Sequence, residues 1–232
     1  MARSFELVDY KVREAEYFLD ALTAGSNASH FGGIQFCASA FAAAARSITF
    51  AMQSSMHGIA GFEEWYADRR TELKADQLAR FFHEFRRVTQ HIGDWVVGAG
   101  LLVDGRTLYY FVPSSDIPSV PDLDVVSACT AYFCTLLELV YRCYMDFGAV
   151  VDAKLYFTAH NFEGMGLGIE DAEEQLGFPR GFTHTGDPMA EPYRWETLRA
   201  QVDGCSLQSE FQRWLGKTVA WPERLPPYQP GA

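Results

Sequence analysis

Over residues 5–147 the apolar side chains recur every three or four positions, and a single stretch alternates instead. That periodicity dictates helices packed on one another, with one hairpin between them. Val8, Val12, Ala15, Phe18, Leu19 and Leu22 predict a helix over 5–24, stopped by Gly25-Ser26-Asn27. Ile34, Cys37, Ala38, Phe41, Ala45, Ile48 and Met52 predict a second over 34–54, and its AFAAAAR run favours helix by intrinsic propensity. A short helix is expected across Glu63 to Arg70. Another spans 75–92, where Leu78, Phe81, Phe82, Phe85, Val88 and Ile92 form a narrow apolar stripe ended by Gly93.

The alternating stretch is WVVGAGLLVDGRTLYYFVP, which reads as a hairpin at about residues 95–112 turning at Asp104-Gly105. Pro121 then opens a long helix to about Phe147. Val125 to Leu137 carries no charge, but its 13 residues fall short of the roughly 20 that span a bilayer, so a buried core helix is expected. Beyond Gly148 the pattern weakens to a strand at Lys154–Thr158, a glycine-rich turn, and short helices at 169–176, 191–202 and 206–215. The expected fold is therefore mainly α. An up-down helical bundle with an inserted β-hairpin fills residues 1–150. An irregular α+β extension fills 151–232 and packs on it, with a peripheral tail at 222–232.

Hydrophobic residues make up 48% of the chain, enough for a sizeable core, and the net charge is −11. A chain this acidic is no general polyanion binder, so no DNA partner is expected and any nucleic-acid role needs a local site. The five cysteines, Cys37, Cys129, Cys134, Cys143 and Cys205, are odd in number and form no CxxC pair. Reduced thiols in a cytoplasmic protein are the expectation, with no metal site, no cofactor and no membrane segment.

Positive charge concentrates in one place. Within residues 69–91, Arg69, Arg70, Lys74, Arg80, Arg86 and Arg87 outnumber Glu72, Asp76 and Glu84, and His83 and His91 lie among them. At about 100° per residue, Arg80, His83, Arg87, Gln90 and His91 fall opposite the apolar stripe, with Arg86 on the flank. Arg87 and His91, four apart, point the same way. A neutral imidazole can take a proton from a hydroxyl near neutral pH, and a guanidinium can hold a phosphate through parallel hydrogen bonds. Arg46 falls near Gln35 and Gln53, away from its helix's apolar face, where it either meets solvent or lines the same cleft. His30, His57, His160 and His184 fall in loops without assignable partners. EGMGLG lacks the pattern of a phosphate loop, and GCSLQS that of a hydrolase nucleophile. Asp122 and Asp124 are first-turn residues of the long helix.

The segment EFRRVTQHIG, after REAEYFLDAL, AFAAAARSITFAMQ, GFEEWYADRR and LARFF, resembles the HEPN superfamily (higher eukaryotes and prokaryotes nucleotide-binding domains). The resemblance covers residues 5–95, with Arg86 and His91 as its R-x4-H motif. It implies a homodimer whose two motifs face each other across a cleft that takes RNA or nucleotide phosphate. Arg86 and His91 are then the catalytic candidates, and Arg87, His83 and Arg46 the binding candidates. The preferred reading is a HEPN-like interaction module. The alternative is a metal-independent endoribonuclease of toxin or defence type, with His91 as general base and Arg86 and Arg87 stabilising the phosphate.

Overall fold

The computed structural model describes residues 4–28, 31–93, 96–98, 100–222 and 224–226. The protein is mainly α. Its elements are α1 (Glu6–Asn27), α2 (Phe31–Met56), α3 (Phe62–Ala75), α4 (Gln77–His91), β1 (Leu101–Val103), β2 (Arg106–Leu108), α5 (Val125–Val151), α6 (Ala153–Tyr156), α7 (Ala159–Gly164), α8 (Ile169–Gln175), α9 (Glu191–Arg199) and α10 (Gln208–Leu215). The chain divides into two compact units, Glu6–Val140 on one hand and Met1–Phe5 with Tyr141–Ala232 on the other. The division falls within α5, ten residues before the expected boundary.

In the unit Glu6–Val140, α1 packs along α2, which also contacts α4. Val8, Val12, Ala15, Leu19 and Leu22 are all fully buried, as their spacing predicts. α1 nevertheless runs through the Gly25-Ser26-Asn27 stop. Ser26 is buried there, and its hydroxyl donates to the Thr107 carbonyl at 2.6 Å, so a partner distant in sequence overrides the local signal. The hairpin forms where expected, pairing Leu101 with Leu108 and Val103 with Arg106. Asp104 and Gly105 both take positive φ, at 48° and 78°, the backbone a tight two-residue turn demands. Its ladder continues irregularly through Val97↔Phe111 and Tyr110↔Asp124. At Gly98 a Cβ would press on the exposed Val112 side chain, which would have to shift to make room.

Two helices, Gly32–Met56 and Val125–Val151, are long and apolar enough to cross a membrane by length and composition. Half or more of each apolar window, 56% and 50%, is buried inside the protein, as in core helices.

The unit containing Tyr141–Ala232 corrects the expected α+β extension: its described residues form helices and no strand. Lys154–Thr158, expected as a strand, lies in and just after α6. The reason is Asp152, 1% exposed. Its Oδ1 accepts the Lys154 N–H at 2.8 Å and caps the turn, while Oδ2 accepts from Cys205 N at 2.9 Å and Trp221 Nε1 at 2.7 Å. A local capping bond outweighs the strand propensity of LYFT. The tail is held at Trp221, whose ring rests on Gly204 and under the Lys154 ammonium, 4.6 Å from the ring centre. Tyr156, Phe157, Phe162, Ile169, Ala172, Trp195 and Leu198 form one hydrophobic core cluster of this unit.

Candidate anion-binding face of α4

α4 starts at Asp76, whose carboxylate accepts the Ala79 N–H at 2.7 Å, and ends where Gly93, at φ 81°, returns its N–H to the Val88 carbonyl. Between these caps its inner side is locked by aromatic rings. Phe82 stacks on Tyr132 at 4.7 Å and meets Phe41 edge-on at 5.9 Å, and Phe81 and Phe85 pack on Phe111 at 4.6 and 5.2 Å. Such packing fixes the rotation of the helix about its axis. The opposite side is therefore held outward, and Arg80, His83, Arg87, Gln90 and His91 are all exposed, as the helical wheel predicts.

The charged groups on that side differ in their partners. Arg87 Nε donates to Glu84 Oε2 at 2.7 Å, and the other oxygen of the same carboxylate, Oε1, stands 3.9 Å from His83 Nε2. The hydrogen bond that Arg87 donates to Glu84, with added attraction from Glu84 and Asp116, raises its already high pKa. Arg86 is half-buried, and its Nε is fully buried with no hydrogen-bond acceptor. Arg80, Arg86, Gln90 and His91 make no side-chain hydrogen bond or ion pair among the described residues.

The helix stays regular through His91. Arg86 and His91 consequently point about 140° apart about its axis, whereas Arg87 and His91 share a side. Within one chain the two motif residues do not converge.

Arg46 is built into the bundle. Its Nη1 donates to Thr49 Oγ1 at 3.0 Å and its guanidinium lies over the Phe50 ring at 4.4 Å. Its charge acts on Tyr66 and Tyr132. Burial pushes the Tyr132 hydroxyl up to about 12, with Arg46 opposing and Asp76 and Tyr66 reinforcing the rise. Among the described residues no hydrogen bond or ion pair joins Arg46 to α4. Of the remaining histidines, His57 stands 3.8 Å from Glu63, His160 belongs to α7 rather than a loop, His184 is an exposed turn residue, and His30 lies outside the described residues. All five cysteines are free, and burial raises the Cys143 thiol to about 12, helped by Asp146. Among the described residues no three of His, Cys, Asp and Glu stand together as a metal site requires.

Sequence reasoning missed Glu84, although its i,i+3 spacing to Arg87 is visible. It also missed a buried ionic network around Arg194, which no local pattern announces. Arg194 donates from Nε to Thr183 at 3.0 Å, from Nη1 to Glu191 at 2.9 Å and from Nη2 to Glu170 at 3.0 Å, beside the fully buried Glu173 at 3.5 Å. Burial alone would raise Glu173. Hydrogen bonds from the Thr183 hydroxyl, the Thr183 and Gly181 N–H groups and Arg194 outweigh it and hold the carboxyl below its ordinary range. Arg194 also lines a cleft of about 470 Å³ with Thr183, Thr185, Tyr193, Glu196 and Thr197.

The family model described as bacteriophage lambda protein ea47 matches residues 25–101, from the end of α1 to the first residue of β1. That stretch contains all of α4 and is well under half of the chain. Searches of curated proteins and of solved structures return no match.

Proposed function

We propose that the unit Glu6–Val140 is a HEPN-like helical module, acting as a homodimer, that binds RNA or nucleotide phosphate through the outward side and flank of α4. One observation carries this reading: Arg86 holds a buried Nε–H without an acceptor in a chain that has 30 acidic residues to offer. A buried donor left unmade is costly, and because that Nε is closed to solvent, a phosphate meets the half-buried guanidinium at its terminal nitrogens, which make no hydrogen bond among the described residues. Arg80 and His91, also without side-chain partners among the described residues, add donors on the same helix. Arg86 and His91 diverge within a chain, which favours a site completed by a second copy. Arg46 stands apart from this face: it bonds Thr49 and lies over Phe50, with no hydrogen bond or ion pair to α4 among the described residues.

The test is fluorescence anisotropy of a labelled single-stranded RNA at low salt. Tight, salt-sensitive binding that weakens with Arg86→Gln is the expected result. Equal anisotropy with and without protein contradicts the reading. A gel of the same RNA, run with EDTA present, separates binding from metal-independent cleavage. Cleavage lost in His91→Ala establishes the nuclease reading, and intact RNA leaves the binding module.

A further inference from the structure

An arginine on a binding face is useful only if a ligand can reach it. On α4 the Arg87 guanidinium is already taken by Glu84. The two oxygens of Glu84 face two different members of the face, Oε2 toward Arg87 at 2.7 Å and Oε1 toward His83 at 3.9 Å. A carboxylate so placed lies where a phosphate group bridging those side chains would lie.

Resting on the reading of α4 as a phosphate-binding face, we propose that Glu84 is a resident anion that gates it. Its carboxylate occupies the subsite between Arg87 and His83, and a phosphodiester group of a bound RNA strand displaces it. The displacement is easy. The pair is exposed, with side chains 44% and 45% accessible, and water screens such pairs so that they contribute little to stability. No backbone rearrangement is needed, since Glu84 has only to change rotamer on the helix surface. The gate also sets selectivity. Arg80 and Arg87, seven residues apart, lie about 10.5 Å apart along the axis on one side of α4, with Glu84 between them. A single small anion is repelled by Glu84 when it approaches Arg87. A strand already held at Arg80 or Arg86 brings its next phosphate to Arg87 at high local concentration and drives the carboxylate aside. The ligand favoured is therefore a strand with several phosphates rather than inorganic phosphate or a mononucleotide.

The test is the salt dependence of binding to a labelled single-stranded RNA of twelve nucleotides, measured for the full chain, Glu84→Gln, Glu84→Gln with Arg87→Gln, and Glu63→Gln. Glu84→Gln frees one guanidinium. It is expected to bind about fivefold tighter at low salt with the log–log salt slope unchanged, because the displaced carboxylate of the full chain already yields Arg87 to a phosphate. Adding Arg87→Gln abolishes the gain and makes the slope shallower by about 0.7. Glu63→Gln, the same charge change on α3, produces neither. Binding by Glu84→Gln no tighter than that of the full chain overturns the gate alone. The absence of RNA binding in every variant, each shown folded by circular dichroism, overturns the binding face itself.

Discussion

Arg86 and Arg87 are consecutive residues of α4 with opposite surroundings: Arg87 donates to Glu84 at 2.7 Å, whereas the Nε of Arg86 is buried and finds no acceptor. The rotation of α4 causes the difference. Phe82, Phe85 and Val88 pin its inner side, so Arg87 swings outward beside Glu84 while Arg86 is left on the flank against the protein.

The ring cluster should accordingly control the face. Phe82→Ala removes a ring that touches Phe41, Phe81, Phe85, Phe111 and Tyr132. Urea denaturation is expected to show a loss of about 3–5 kcal/mol. A change under about 1 kcal/mol means the cluster does not fix α4.

Asp152 ties the start of α6, the 205 backbone and Trp221 together. Asp152→Ala leaves the buried Cys205 N–H without its acceptor and removes the cap of α6. A loss of about 2–4 kcal/mol is expected, from one orphaned donor and one lost cap. Asp152→Asn keeps an acceptor oxygen and should lose less. Equal losses in the two variants contradict the role given to the carboxylate oxygens.

The network around Arg194 predicts acid sensitivity. Glu170 is held low first by its hydrogen bond from Arg194, Asp171 first by the Gly168 N–H, and Glu173 by hydrogen bonds that overcome its burial. A carboxyl whose pKa is lower folded than unfolded contributes stability above its unfolded value, and loses it as pH falls through the folded one. Urea midpoints should thus be flat near neutrality and fall below about pH 4.5. Glu173→Gln should be less stable at pH 7 and show a shallower fall in acid. A wild-type midpoint independent of pH between about 5 and 3 refutes the assignment.

The helices were legible in the sequence because burial follows the 3.6-residue period: every apolar position named on α4 except Leu78 and Ile92 is buried. The hairpin was legible because Asp-Gly is a turn signal that needs no tertiary help. What escaped was set by side-chain bonds that periodicity does not encode, some of them to partners distant in the chain. Ser26 bonds to Thr107 and carries α1 past its glycine, and Asp152 collects donors from residues 154, 205 and 221 and turns an expected strand into helix. At the candidate site, the wheel placed Arg80, His83, Arg87 and His91 outward from periodicity alone. It could not say which arginines would be neutralised. The i,i+3 pair that occupies Arg87 and the Thr49–Phe50 setting of Arg46 depend on rotamers, which periodicity does not encode.

The measurement closest to the central claim follows the arginine Nε–H signals by NMR in 15N-labelled protein while single-stranded RNA is added. The Arg86 Nε–H resonance should move as a phosphate binds the terminal nitrogens of the same guanidinium, while that of Arg194, already bonded to Thr183 at 3.0 Å, stays in place. An Arg86 signal unmoved at saturating RNA, or RNA shifting Arg194 instead, contradicts a phosphate-binding role for α4.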